Sequence, residues 1–184
     1  MNTIIGELGK SHKFVDLIHE IENKKSPIAI SGLTDVGMTQ IISGIHEFAK
    51  KNVCIVTYNE IQARKIVEDI KNFTERVVFF PKKDIVAYDY IAESKDLPYE
   101  RIETLNQIVS KKKFIVVTTI EAVMQKLPSK ETLYKNILEF KVGKSYSIEE
   151  LKKKLIQLGY TRYDLIEGRG QFSISGGIVD ISTN

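Results

Sequence analysis

Tryptophan is absent from this 184-residue chain, cysteine occurs once and proline four times. A single cysteine excludes a disulfide framework and a cysteine-built metal cluster. Cys54 sits in an apolar run and reads as a small buried hydrophobe. His12, His19 and His46 are scattered through separate helical patterns with no Cys or His partner at ligand spacing, so no metal centre is expected. No apolar run approaches the roughly eighteen residues that cross a bilayer. Met1 to Lys10 has neither the basic start nor the apolar core of a leader, and a cytoplasmic protein without a membrane partner is expected. One-signed charge is lacking too: 27 Lys and Arg face 24 Asp and Glu, a net charge of +3 that does not demand nucleic acid. The one dense basic run, Lys111 to Lys113, precedes a strand and reads as a solvated turn before it reads as a phosphate contact.

What is present centres on Ser26 to Ile42. The apolar run Pro27 to Ile30 reads as a strand entering Gly32; four residues on comes Gly37, and Met38 and Thr39 open a helical pattern. This is the frame G-x-x-x-x-G-K-[ST] with one letter changed. In a working phosphate loop, backbone N–H groups curl round the phosphates at a helix N-terminus, the lysine meets the β- and γ-phosphates, and the hydroxyl holds magnesium. Thr39 keeps the hydroxyl, Met38 replaces the ammonium group with a thioether, and Asp35 adds a carboxylate inside the loop. A scaffold that keeps the loop's shape without its chemistry fits these residues better than a nucleotide hydrolase.

The remaining pattern is that of an α/β domain. Ser11 to Asn23 and Thr39 to Lys51 have helical periodicity, and Asn52 to Thr57 is a β-branched run suited to a strand covered on both faces. Asn59 caps a helix to about Phe73 whose buried stripe is Ile61, Ala63, Ile66, Val67 and Ile70. Strands follow at Val77 to Phe80 and Phe114 to Thr118, separated by a helix from Tyr99 to Val109 with Ile102, Leu105 and Ile108 on its apolar face. A short helix occupies Thr119 to Leu127. Strands separated by helices mean parallel crossovers, so residues 1–136 are expected to form a doubly wound, mostly parallel α/β domain.

From Ile137 the pattern changes to a smaller α+β unit, residues 137–184. Ile137 to Val142 alternates like a half-exposed strand, and Ser147 with Glu150 makes a capping box for a helix ended by Gly159. Tyr160 to Ile166 and Gln171 to Ile181 read as two strands of a hairpin joined at Glu167 to Gly170, with Gly176 and Gly177 as a bulge or close-packing site. So little chain follows Ile137 that this unit is expected to be truncated.

Several segments together resemble one family. They are GLTDVGMT at 32–39, FFPKKDIVAYDYIAESKDLPYERIETLNQI at 79–108, FIVVTTIEAVMQKLP at 114–128 and FKVGKSYSIEELKKKLIQLGYTRYDLIEGRGQFSISGGIVDI at 140–181. Their order is similar to the UvrB-like amino-terminal module of bacterial transcription-repair coupling factors (Mfd), a domain 1a followed by part of a domain 2. UvrB itself carries a long aromatic hairpin after its YDY-like segment and keeps the loop lysine. Here Tyr88-Asp89-Tyr90 reaches the helix of Arg101 in a few residues and Met38 stands for the lysine, which favours the coupling factor.

The resemblance implies a non-catalytic module that docks UvrA in transcription-coupled nucleotide excision repair. ATP, magnesium, DNA and RNA polymerase would belong to the remainder of a longer translocase, and no cofactor to this part. Matching the docking pattern residue by residue implies Arg162 in Y-x-R-x-D, then Arg169 and Phe172 in R-G-x-F, as contacts for UvrA. Ser175 stands where the family has an arginine. From the residues alone other roles stay open: Arg162 beside Asp164 can hold a surface ion pair, and Phe172 alternates with Ile174 as a core residue. The competing functional class is a helicase-type nucleotide- or DNA-binding domain of a UvrB-like repair protein, with Tyr88, Tyr90 and the lysine run meeting nucleic acid.

Overall fold

The computed structural model describes residues 2–83, 97–110 and 113–183. Tyr88, Asp89, Tyr90, Lys111 and Lys112 lie outside the described residues. The chain divides into two compact units, Met1–Lys126 and Leu127–Asn184. That division falls ten residues before the change of pattern in the sequence.

The first unit is built on a parallel sheet of β1 (Val53–Thr57), β2 (Val77–Phe80) and β3 (Ile115–Thr119) in the order β1-β3-β2. Val53 and Val77 both stand opposite Ile115, and the register then runs without a break. Helix α4 (Glu60–Lys71) lies over one face, started by Asn59, whose side chain accepts from the Gln62 N–H at 2.8 Å. Its Ala63, Ile66, Val67 and Ile70 join Val77, Phe79, Ile115 and Val117 in one core cluster. Each of the Val, Ile and Phe side chains contributes roughly 1.5–3 kcal/mol by leaving water.

Helix α5 (Leu97–Val109) packs against β2, and α6 (Ile120–Val123) against β3 and β1. At the carboxyl end of the sheet, threonine hydroxyls satisfy buried carbonyls: Thr104 donates to Phe79 O at 2.9 Å and Thr118 to Phe80 O at 2.9 Å. Two helices precede the sheet, α1 (Thr3–Leu8) and α2 (His12–Glu22), and both pack on α3 (Asp35–Phe48). They come so close that a Cβ on Gly44 would stand 2.8 Å from Phe14 Cζ and 2.9 Å from Leu8 Cδ1, so any side chain there would displace them.

Four sequence expectations for this unit are corrected. Pro27 to Ile30 pairs with no strand among the described residues, and Ile30 is exposed, because apolarity makes a strand only where a neighbour completes its hydrogen bonds. Cys54 and Val56 are exposed rather than covered, since α4 covers only the Val53 and Ile55 side of β1. Ile61 is 83% exposed, on the edge of the α4 stripe rather than in it. On α5, Leu105 is buried while Ile102 and Ile108 are exposed.

The second unit joins α7 (Lys130–Lys135) and α8 (Ile148–Gln157) to a sheet of β4 (Thr161–Arg162), β5 (Gln171–Ser175) and β6 (Ile178–Ser182). Ser147 caps α8, accepting from the Glu150 N–H at 3.4 Å, and Gly159 beyond it takes φ +89°. Leu155 of α8 and Phe172 of β5 are its deepest side chains. Ile137 to Val142 is not a strand; Ile137, Phe140 and Val142 stay exposed and Leu138 is half-buried. Nor do β4 and β5 form a hairpin: they run parallel. The hairpin is β5–β6, turned by Gly176 and Gly177 between the paired Ser175 and Ile178, with Gly176 at φ +59°.

Candidate functional site

Two places are candidates, the glycine loop of the first unit and the strand surface of the second. In the loop, Gly32 takes φ +78° and is exposed, but the helix starts at Asp35, three residues before Met38. Thr34 is the cap. Its hydroxyl accepts from the Gly37 N–H at 3.1 Å, and its carbonyl accepts from the Met38 N–H at 2.8 Å. The N–H groups that would curl round a phosphate are thus drawn into the first turn of α3.

Asp35 adds its own anion at this helix start, where the dipole favours it. Lys65 of α4 pairs with it at 2.8 Å, and that hydrogen bond and charge hold the Asp35 carboxyl below its ordinary range and the Lys65 ammonium above its own. Met38 packs against the hydrophobic core. Thr39 is fully buried and its hydroxyl donates to Val36 O at 3.0 Å, while Ser43 donates to Thr39 O at 2.8 Å. Gly32, Gly37, Met38 and Thr39 are thus neighbours along the chain, with the Met38 side chain against the core and the Thr39 hydroxyl bonded within its own helix. The reading of Met38 and Thr39 as the opening of the helix is corrected. Thr34 and Asp35, which favour an N-cap and a first helical turn, move the start forward. Among the described residues no group of three His, Cys, Asp or Glu could hold a metal ion.

In the second unit, backbone hydrogen bonds fix a short parallel contact: Thr161 N donates to Gly170 O at 2.9 Å and Tyr163 N to Phe172 O at 2.9 Å. The Gln171 side chain accepts from Glu167 N at 2.8 Å and Gly168 N at 3.1 Å, which shapes the turn that carries Arg169. Arg162 and Phe172 are register partners. Arg162 is exposed and, among the described residues, pairs with no acid, Asp164 included. Arg169 is exposed. Phe172 is fully buried, so the expectation of a direct contact is corrected: it is a core residue of β5, beside Arg162 in the sheet. Ser175 ends β5 on the exposed side of the hairpin.

Sequence reasoning passed over Tyr163, Leu165 and Ile178, apolar side chains 48%, 73% and 66% exposed on this unit. Arginine with exposed aromatic and aliphatic neighbours is the chemistry of a protein-binding surface. β4 ends at Arg162, which leaves Tyr163 and Leu165 outside any strand.

Residues 138–184 match the UvrB interaction domain. The likeness to coupling factors read from the motifs extends over nearly the whole chain. A transcription-repair-coupling factor of Bacillus subtilis strain 168 is 25% identical over 183 residues, covering 98% of this chain and 16% of that protein. One from Staphylococcus aureus strain RF122 / ET3-1 is 25% identical over 181 residues, 97% of this chain and 15% of its own length. One from Staphylococcus haemolyticus is 28% identical over 156 residues, 84% of this chain and 13% of the relative. The chain spans about one sixth of the length of these curated relatives.

Proposed function

We propose that this chain is a non-catalytic, UvrB-like recruitment module that docks UvrA for transcription-coupled nucleotide excision repair in the cytoplasm. The observation that carries this reading is the match of residues 138–184 to the UvrB interaction domain, on the unit that exposes Arg162 and Arg169. Arg162 is the cation for a carboxylate of the partner, Arg169 a second one, and Tyr163 and Leu165 supply apolar area between charges. Phe172 acts through the strand it supports. The module itself turns over no ATP: the Met38 thioether lies against the core and the Thr39 hydroxyl is bonded within its own helix. ATP, magnesium, DNA and RNA polymerase belong, on this reading, to the remainder of a longer coupling factor.

Calorimetric titration of the chain with purified UvrA tests the proposal. Saturable binding is expected, weakened roughly tenfold or more, about 1.4 kcal/mol, by Arg162→Ala. Absence of binding by the unsubstituted chain would overturn the reading.

A further inference from the structure

Phe79 and Phe80, consecutive in β2, each carry an arginine over the ring. Arg64 of α4 lies 4.4 Å from the Phe79 centroid and Arg101 of α5 lies 4.4 Å from the Phe80 centroid. The two cations are otherwise unlike. Arg64 is met by two carboxylates, Glu60 at 2.8 Å and Glu100 at 3.4 Å. Burial depresses its pKa, and the bonds and charges of the two glutamates outweigh that and raise it. Arg101 is half-buried and meets no acid among the described residues; burial acts on it alone and lowers its pKa.

Among the described residues only one of its nitrogens makes a hydrogen bond. Nη1 donates to the Pro81 carbonyl and to Gln125 Oε1, the latter at 3.2 Å. Gln125 is itself fixed, accepting from Lys83 N at 2.6 Å and donating to Lys83 O at 2.9 Å. The guanidinium is thereby held rigid, with its Nε and Nη2 edge making no hydrogen bond among the described residues. It sits where the chain leaves β2, at the carboxyl end of a parallel sheet, the end at which α/β sheets bind ligands. A partly desolvated cation that meets no acid among the described residues is costly, and a rigid two-nitrogen edge matches the two oxygens of a carboxylate.

We propose that Arg101 receives a carboxylate of an acidic protein segment through its Nε and Nη2 edge. A monoanion fits better than a phosphate. Lys82 alongside is already matched by Glu121 at 2.6 Å, and a second negative charge would be set beside that glutamate. Arg101 belongs to the first unit and Arg162 to the second, and the proposal for Arg101 does not depend on UvrA.

The test follows the arginine Nε–H resonances of the 15N-labelled chain while sodium acetate replaces sodium chloride at constant ionic strength. Through-bond correlation to its backbone assigns Arg101, and loss of the peak in Arg101→Lys checks the assignment. The Arg101 peak is expected to move along a saturating curve, with Arg64 as the internal control that stays in place. An Asp-Gly-Asp peptide capped at both ends should move the same peak, and sodium phosphate should move it less. The proposal is overturned if Arg101 moves no more than Arg64, if the peptide leaves it unmoved, or if phosphate produces the larger saturable shift.

Discussion

Met38 stands where a phosphate loop has its lysine, and its side chain lies against the core built by α4 and the sheet. Met38→Lys therefore puts an ammonium group at an apolar contact. The lysine stem can snorkel, so the cost is bounded, about 1–2 kcal/mol. Urea unfolding should show a lower midpoint with an unchanged slope, and an ATPase assay of the variant should show no multiple turnover; a gain in stability or steady hydrolysis would contradict this account. The missing charge was legible in the sequence because it is a matter of residue type. The direction of the Thr39 hydroxyl was not, because a threonine inside a helix can bond to its own preceding turn, and only the early start at Thr34 and Asp35 places it there. Phe172 was legible as half of an ambiguity: alternation paired it with Ile174, and burial resolves it as core.

Among the elements, β3 is the middle strand, and Ile115 is completely buried between α4 and its two neighbours in register. Ile115→Ala should cost about 2–5 kcal/mol. Ile61→Ala, on the exposed flank of α4, should stay within about 0.5 kcal/mol. Equal losses at the two positions, measured by denaturant titration, would refute the observed face of α4. The periodicity of residues 59–73 predicted that helix and four of its five buried positions; the fifth lies at the margin of the stripe, where a change of one position turns a side chain outward. Strands 53–57, 77–80 and 115–119 were readable as short β-branched runs bounded by turns. Pro27 to Ile30 and Ile137 to Val142 have the same signature and are not strands, since local sequence carries no information on whether a distant edge is there to pair with. Parallel pairing of β4 with β5 was hidden for the same reason: a glycine-bearing loop is compatible with a hairpin and does not enforce one.

For the whole molecule, the division into two units makes stability local. Phe172→Ala removes the deepest side chain of the smaller unit and should cost that unit about 3–5 kcal/mol, enough to unfold a small core. In amide-resolved spectra the signals of residues 127–183 should collapse while those of Ile115 and Ile70 persist; collapse of both sets together would show a single cooperative fold. At this scale the sequence was most informative about kinship, because the order of several weak motifs over the chain is more specific than any one of them. It was least informative about surface. Tyr163 and Leu165 owe their exposure, and Arg101 its lack of an acid among the described residues, to strand length and side-chain direction, which no motif records.

Strand β1 has a single neighbour among the described residues and reads Val-Cys-Ile-Val-Thr, with no lysine, no proline and no bulge to blunt its outer side. In colloidal terms, that side is a template. The outward-pointing amides and carbonyls of this short uncharged strand, which meet no strand among the described residues, can add a strand from another molecule, and the exposed Cys54 can then lock the added pair by air oxidation. Turbidity of concentrated solutions is therefore expected to fall with a reductant and with Val56→Lys, and light scattering unchanged by both would contradict growth at this edge.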